Sequence, residues 1–165
     1  MPRPRTLALT ILVLLTLQAP ARATSPNDFD CRKQIMAIAV HFVSTGLGNL
    51  LKTIPDQAQQ TLAIRKFMEE NFFYDDLSGY MFVYDLSGEN IAHADKSLQG
   101  VSLLTLADGK GADIHKKFLE AVRRGGGFLK YRFPKPGKRG DLDKVSYVEM
   151  IPGTNYFIGS GVYQF

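Results

Sequence analysis

The sequence contains few of the residues on which disulfide, haem and metal sites depend. Of its 165 residues one is a cysteine, Cys31, and three are histidines. A lone cysteine cannot form an internal disulfide, and the Cys-x-x-Cys-His motif that attaches a c-type haem is absent. Cys31 can be a buried thiol, an exposed thiol or half of a bridge between two chains. We expect a buried or inert thiol, with the covalent dimer as the alternative.

The sequence also lacks the motifs of common enzymes. It has no Gly-x-Ser-x-Gly, no His-Glu-x-x-His and no phosphate-binding loop. His41, His93 and His115 fall in different predicted elements, so their spacing does not favour a zinc site. The run from Asp108 to Asp113 resembles a calcium loop only superficially, because the third position is a lysine and the twelfth a leucine. We therefore predict a protein without catalysis, cofactor or metal.

No apolar run in the first part of the chain reaches the roughly 20 residues that a membrane-spanning helix needs. The run TLALTILVLLTL follows the basic head MPRPR and leads to Ala21-Arg22-Ala23. This order predicts a secretory signal peptide over residues 1–23, cleaved after Ala23, and hence a periplasmic protein. An uncleaved membrane anchor is the alternative, and a lipoprotein is disfavoured because no cysteine lies at the cut.

Positive charge is in clear excess only when the predicted signal peptide is counted. The whole chain has 20 basic and 16 acidic residues, a net charge of +4. Removal of Arg3, Arg5 and Arg22 leaves 17 basic residues against the same 16 acidic ones, a net charge of +1. A chain this close to neutral has little general attraction for nucleic acid. We expect no nucleic-acid partner.

Helical spacing of apolar residues dominates the part of the chain that follows. It predicts a long N-terminal helix within residues 24–54, loosened at Gly46 and Gly48, from Ile35, Ile38, Ala39, Phe42, Leu47, Leu50, Leu51 and Ile54. Thr53-x-x-Asp56 resembles a capping box and predicts the start of a second helix. A third helix is expected in the crossover, capped by Asp113 and stopped by the three glycines at 125–127.

Period-two patterns indicate five strands in the rest of the chain. Tyr80 to Tyr84 and Asn90 to Ala94 form a predicted hairpin around the turn Asp85-Leu86-Ser87-Gly88. Three more strands are predicted at residues 128–133, 144–151 and 156–163. The expected fold class is α+β, a five-stranded antiparallel sheet with a long N-terminal helix and a crossover helix, and the sheet domain is assigned to residues 55–165.

Most of the large aromatic rings fall on the predicted strands, and several of them carry a hydroxyl. A sheet that only supported helices would be served as well by Val, Ile and Leu, and a buried tyrosine needs a hydrogen-bond partner that a pocket supplies. His93 and Lys144 occupy strand positions where an aliphatic residue is the default. A lysine near tyrosines is a suitable partner for a small carboxylate. Core packing of the rings and an edge-strand position for Lys144 remain the alternatives.

The order of these pieces resembles a known family. The segments GYMFVYDLSGENIAHA, SLQGVSLLTLADGKG, GGGFLKYRFPKPG, KVSYVEMIPG and YFIGSGVY resemble, in sequence and order, the single Cache domains of bacterial chemoreceptors and sensor kinases. The resemblance covers roughly Pro55 to the C-terminus, and the long N-terminal helix also suits this fold.

The resemblance implies a PAS-like sensor fold that holds a small extracytoplasmic molecule, often a short carboxylate, between its sheet and the covering loops. The matching positions are expected to bind the ligand: Tyr80, Phe82, His93, Tyr131, Phe133, Lys144 and Tyr147. Lys144 would supply the cation, His93 and the tyrosine hydroxyls would donate hydrogen bonds, and Phe82 with Phe133 would exclude water. This sequence departs from the family by Ala94 where proline is frequent and by Phe133 where tryptophan is frequent, which bears on ligand preference.

The expected function is therefore binding of a small organic acid by a stand-alone periplasmic domain, since the sequence ends at Phe165 directly after the last predicted strand. Such a domain would pass its signal to a membrane receptor or kinase, and it could form a homodimer through the N-terminal helix. The alternative is an interaction or dimerisation module without a ligand, whose cavity is filled by its own side chains.

Overall fold

A computed structural model describes residues 26–69, 72–73, 79–105, 110–135 and 138–163. The predicted signal peptide over residues 1–23 lies outside the described residues.

The described residues form one antiparallel sheet. Its strands are β1 (Phe72–Phe73), β2 (Gly79–Asp85), β3 (Asn90–His93), β4 (Gly127–Pro134), β5 (Asp141–Met150) and β6 (Tyr156–Tyr163). The order is β1-β2-β6-β5-β4, and β3 pairs with β2. The predicted α+β fold with five antiparallel strands is confirmed, and β1 adds a short two-residue strand. Because β6 pairs with both β2 and β5, the last strand lies in the middle of the sheet.

Helices cover both faces of the sheet. They are α1 (Pro26–Leu51), α2 (Gln57–Phe67) and α3 (Lys110–Arg123), with two short 3-10 helices in the crossover at Lys96–Leu98 and Leu103–Thr105. Side chains on alternate strand positions form two separate cores. We call the side packed against α3 the ring face, and it carries Tyr80, Phe82, Tyr84, Tyr131 and Phe133. We call the other side the α1 face, and it carries Met81, Val83, Tyr156 and Ile158.

The long helix α1 packs across strands β5 and β6. Met36, Val40, Leu47 and Leu51 are buried at helical spacing. Over Asp28–Leu51 the helix is also long and apolar enough to cross a membrane by length and composition, and 33% of an 18-residue window within it is buried in the protein. The core helix of a soluble domain meets the same criterion, so this property alone does not indicate a membrane span.

Two expectations about α1 are wrong. The helix is continuous through both predicted weak points, and a Cβ at Gly48 would lie 2.9 Å from the Pro152 carbonyl oxygen. This glycine therefore lets the helix approach the β5–β6 turn closely. Cys31 is an exposed free thiol rather than a buried one, because it lies on the side of α1 that faces away from the sheet.

Two predicted helix caps are also wrong. The N-cap of α2 is Asp56, whose carboxylate accepts the Gln59 backbone N–H at 2.8 Å, whereas the Thr53 hydroxyl donates to the Leu50 carbonyl at the end of α1. Helix α3 already begins at Lys110, so Asp113 lies in its first turn and not at its cap. A carboxylate there still interacts favourably with the helix dipole.

The predicted turn after β2 is confirmed and helps to position α3. The Gly88 N–H donates to the Asp85 carbonyl at 3.1 Å, and Gly88 has a positive φ of 91°. A Cβ on Gly88 would lie 3.1 Å from the His115 ring, whose Nε2 is 3.2 Å from the Leu86 carbonyl. The turn and α3 are thus held together above the ring face.

Candidate functional site

Lys144 is the centre of the site, because it is a basic residue with 1% of its surface exposed. It lies in β5, between β4 and β6, and faces Tyr131 on one side and Tyr163 on the other in the strand register. The edge-strand alternative is therefore wrong. Its side chain enters the ring face, together with five of the other residues that the sequence predicted: Tyr80, Phe82, His93, Tyr131 and Phe133.

Four aromatic rings surround the Lys144 amine. Nζ lies 4.0 Å from the ring centroid of Tyr80, 5.0 Å from that of Tyr163, 5.4 Å from that of Phe82 and 5.5 Å from that of Phe133. These distances are within the range of cation–π attraction, which favours a positive charge at this point. The rings replace only part of the lost hydration.

Two glycines of β6 make room for this arrangement. A Cβ at Gly161 would overlap Lys144 Cε and Ser146 Oγ, and a Cβ at Gly159 would lie 2.6 Å from the Phe82 ring. The lysine stem therefore lies directly over the backbone of β6. The Gly-x-Gly at positions 159–161 determines the floor of the site.

A directed chain of hydrogen bonds begins at the amine. Lys144 Nζ donates to the Tyr80 hydroxyl at 2.7 Å, the hydroxyls of Tyr80 and Tyr163 are 3.0 Å apart, and Tyr163 donates to the Pro134 carbonyl at 2.7 Å. Because a carbonyl only accepts, Tyr163 must accept the hydrogen of Tyr80. The Tyr80 hydrogen is therefore used inside the protein, contrary to the expectation that this hydroxyl would donate to a ligand.

His93 is a neutral hydrogen-bond donor in the site. It is 5% exposed, and its Nδ1 accepts the Asp95 backbone N–H at 2.9 Å. This hydrogen bond assigns the ring hydrogen to Nε2. Burial, and secondly the nearby Lys144, lower the pKa of His93 to about 3. The imidazole is thus uncharged at neutral pH and offers one N–H.

A small cavity lies between the ring face and α3. The part of it that is wide enough for a water molecule measures about 10 Å³, or roughly one water. Its walls are mostly apolar, and the lining residues are Phe82, Tyr84, His93, Leu103, Ile114, Phe118, Tyr131, Phe133 and Lys144. A second cavity of about 10 Å³ lies under the crossover and shares Tyr84, Leu103 and Phe133 with the first.

The ionisable groups of the cavity are one basic side chain and several neutral ones. Burial lowers the pKa of the Lys144 ammonium well below its usual range, and no carboxylate in the described part of the chain forms an ion pair with it. Burial raises the pKa of the Tyr131 hydroxyl, which hydrogen-bonds Ser146 Oγ at 2.9 Å. The site thus combines one amine, one neutral imidazole and neutral hydroxyls, and its described walls contribute no negative charge.

Tyr147 is the one predicted site residue that the structure separates from the others. It lies on the α1 face, where its ring centroid is 5.1 Å from that of Phe128 and its hydroxyl donates to Glu149 Oε2 at 3.1 Å. Residues three positions apart on a strand point to opposite faces. The separation of Tyr147 from Lys144 could therefore have been inferred from the sequence.

Glu149 is a second buried ionisable residue, on the α1 face of the same strand. Its side chain is 10% exposed. One carboxylate oxygen accepts the Ser44 hydroxyl of α1 and lies 3.2 Å from His41 Nδ1, and the other accepts from Tyr147. Both oxygens of this carboxylate have hydrogen-bond partners, and the contacts with Ser44 and His41 tie α1 to the sheet.

Sequence reasoning missed several residues of the site. Tyr163 and Gly161 are brought next to Lys144 by the register of β5 and β6, and the register is not visible in either strand alone. Ser146 lies two positions after Lys144 on β5, so strand alternation could have placed it on the same face. Phe118 of α3 and Leu103 of the crossover close the cavity, but nothing in their spacing separates them from ordinary core residues.

Comparison with known proteins gives a consistent result along the whole described domain. A family model described as "Cache domain" matches residues 33–165. The sensor histidine kinase MctS of Rhizobium johnstonii is 30% identical over 94% of this chain and 35% of its own length. The methyl-accepting chemotaxis protein McpP of Pseudomonas putida is 29% identical over 67% of this chain and 20% of its own length. The match thus spans about a third or less of these relatives.

Solved structures share the fold. The periplasmic sensor domain of a chemotaxis protein has a TM-score of 0.67 at 25% identity and covers 84% of this chain and 97% of its own. A methyl-accepting chemotaxis protein from Vibrio parahaemolyticus has a TM-score of 0.64 at 27% identity and covers 82% of this chain and 90% of its own. A Cache chemosensory domain described by its recognition of carboxylic acids has a TM-score of 0.66 at 23% identity. The match covers 86% of this chain and 99% of that domain.

Proposed function

This chain belongs to the Cache domain family of extracytoplasmic sensor domains, and from that premise we propose that it binds a short organic acid in the cavity beside Lys144. It does so without catalysis. The observation that carries the proposal is the buried Lys144 amine, which faces a small aromatic cavity and forms no ion pair within the described part of the chain.

The donors in the cavity match a carboxylate. Lys144 Nζ spends one hydrogen on Tyr80 and has others for a ligand, and His93 Nε2–H is directed by the Asp95 hydrogen bond on the opposite ring nitrogen. Charge-assisted hydrogen bonds of this kind contribute about 1.5 to 3 kcal/mol each. A carboxylate would therefore receive one charged and one neutral donor.

The volume favours a short ligand. The space that is wide enough for a water molecule measures only about 10 Å³, roughly one water, so a ligand that enters this cavity must be small. Because little of this space is open, an acid must move the rings of Phe82, Phe118 or Phe133 aside to enter. A single amine and apolar walls favour a monocarboxylate with a small apolar or neutral remainder.

The relatives support this class of ligand and indicate the partner. One solved neighbour with the same fold is described by its recognition of carboxylic acids, and the curated relatives are a sensor kinase and a chemotaxis protein. We infer that the domain acts upstream of a membrane receptor or kinase. We also infer that residues 1–23 are a cleaved signal peptide and that the mature domain is periplasmic, which N-terminal sequencing of the exported protein tests.

A thermal-shift screen of small acids on the mature chain tests the ligand. An acid at a hundred times its Kd should add about 2.7 kcal/mol to the free energy of unfolding. Lys144→Ala should weaken the best acid about tenfold or more. Lys130→Ala is the matched control, because Lys130 lies on the neighbouring strand but is exposed. Equal loss in both variants would contradict the role assigned to Lys144. No response to any acid would favour a ligand-free interaction module, to which the narrow cavity also points.

We further propose that α1 pairs with α1 of a second copy. Its outward side carries an exposed apolar stripe at spacings of four, three and four residues: Cys31, Ile35, Ile38 and Phe42. Phe42 is 73% exposed, and the spacing is that of a two-stranded coiled coil. A parallel pair of helices would bring the two Cys31 thiols together.

Sedimentation analysis tests this dimer. The mature chain should form a dimer that oxidation cross-links through Cys31, and Phe42→Glu should convert most of it to monomer. Leu62→Glu, at an exposed apolar position of α2, should leave the dimer intact. A wild-type chain that stays monomeric at high concentration contradicts the pairing.

A further inference from the structure

Lys144 is a buried basic side chain, and no carboxylate among the described residues forms an ion pair with it. Moving a charged amine out of water is expensive unless an anion accompanies it. The Tyr80 hydroxyl gives it a neutral hydrogen-bond acceptor at 2.7 Å, which serves an uncharged amine as well as an ammonium. The site is therefore arranged so that a bound carboxylate would complete an ion pair.

We propose that the acid binds together with a proton taken from solvent, which ends on Lys144 Nζ. The carboxylate and one proton enter, the amine becomes an ammonium, and the pair that forms is electrically neutral as a whole. This inference rests on the proposed function and adds to it that the domain reads the concentration of an acid and the pH jointly.

None of the described titratable groups that face Lys144 takes up a proton near neutral pH, so the proton goes to Lys144. They come from every element around it: Tyr80 and Phe82 of β2, His93 of β3, Tyr131 and Phe133 of β4, Tyr163 of β6, and Leu103, Ile114 and Phe118 above. Burial raises the pKa of Tyr163 to about 12 and also raises that of Tyr80 and Tyr131, so these hydroxyls stay neutral. Burial and Lys144 keep His93 from accepting a proton near neutral pH.

One further cation lies close to the site. Lys135, next to the end of β4, is 5% exposed, and its Nζ is 5.9 Å from the Tyr163 ring centroid. The lowered pKa of Lys144 comes from its burial and not from this lysine.

The direction of the pH dependence of acid binding follows from the pKa of Lys144 in the free domain and in the complex. Burial lowers the pKa of Lys144, and a carboxylate in hydrogen-bond contact raises it. Between these two pKa values one proton is taken up per acid, and the association constant falls about tenfold for each unit of rising pH. Below the lower value the amine is already charged, so no proton is taken up. Acidification within the window therefore tightens binding.

Calorimetry of the mature chain with acetate, propionate and pyruvate as probes measures this proton directly. Titrations at one pH in two buffers of different ionisation enthalpy should give an uptake of about one proton per acid. Lys144→Arg should bind with an uptake near zero, because the guanidinium is charged at every pH used. Lys130→Arg, on the exposed side of β4, should retain the wild-type uptake.

The outcomes separate the two proposals. Binding of an acid with zero uptake at every pH from mildly acidic to mildly alkaline overturns proton uptake and leaves the proposed function standing. Uptake that persists in Lys144→Arg and disappears in His93→Gln assigns the proton to His93 and also overturns the inference. Failure of every probe to bind overturns the proposed function itself.

A second measurement does not depend on the arginine variant folding. NMR titration of the lysine ¹³Cε signals in the wild-type chain should show one lysine that loses its proton at lower pH than the others. That signal should be missing in Lys144→Met, and acetate should move its titration to higher pH. A Lys144 signal that titrates with the exposed lysines, with or without acetate, contradicts proton uptake.

Discussion

Strand β5 carries two buried ionisable residues, five positions apart, on opposite faces of the sheet. Glu149 on the α1 face accepts or shares hydrogen bonds with Ser44, His41 and Tyr147. Lys144 on the ring face donates to the neutral Tyr80 and is otherwise surrounded by aromatic rings. The Glu149 carboxylate thus has several hydrogen-bond partners within the protein, whereas the Lys144 amine lies beside a cavity.

The difference distinguishes a buried ionisable residue that stabilises the fold from one that binds a ligand. A buried group whose hydrogen-bonding capacity is filled contributes to stability, and its removal leaves its partners unsatisfied. A buried lysine without an anion costs free energy in the isolated domain, because it must either lose its hydration as an ammonium or give up its proton. An anionic ligand that enters from solvent would offset that cost. Substitutions on the two faces should therefore have opposite effects on folding and on binding.

The largest effect on both properties is expected at the floor of the site. Gly161→Ala would place a methyl group against Lys144 Cε and Ser146 Oγ, and overpacking of this kind costs about 2 kcal/mol. Because Lys144 would be displaced, the variant should also lose its affinity for the acid. Gly46→Ala is the control, since a Cβ there meets nothing within 4 Å. Urea unfolding and calorimetry together measure both losses; a Gly161→Ala protein that folds and binds like wild type contradicts the described floor.

The paired substitutions Glu149→Ala and Lys144→Met sharpen the comparison further. Glu149→Ala should lower the free energy of unfolding by about 2 kcal/mol, since it removes an anion that holds three donors, and the acid affinity should be unchanged. Lys144→Met should change stability by less than about 1 kcal/mol or raise it, and acid binding should be lost. The same two measurements apply to both variants, and a stability loss at Lys144 as large as that at Glu149 would remove the distinction.

A smaller effect is expected in the pH dependence of stability through His93. Because its pKa is about 3 in the fold against 6.5 when unfolded, the unfolded chain binds more protons between these values. Stability therefore falls as pH drops through this window and is unaffected by His93 above it. Urea unfolding of wild type and His93→Gln over this range measures the difference. Parallel pH profiles would show that the imidazole is not buried in the neutral form.

The fold was largely predictable from the sequence, because alternation within strands and the helix spacing are local signals. Strand β6 has the predicted limits Tyr156 and Tyr163, and six of seven predicted site residues meet on one face. The floor at Gly161 was not predictable in this way, since it depends on how β5 and β6 are aligned. The exposure of Cys31 was missed because α1 is apolar on more than one side, and only packing decides which side meets the sheet.

A crystal structure of residues 24–165 with a bound short acid tests the central claim most directly. The account predicts that the carboxylate lies within hydrogen-bond distance of Lys144 Nζ and His93 Nε2, with the Phe118 and Phe133 rings displaced around the remainder of the ligand. An acid bound elsewhere, while Lys144 keeps Tyr80 as its only polar contact, would contradict it.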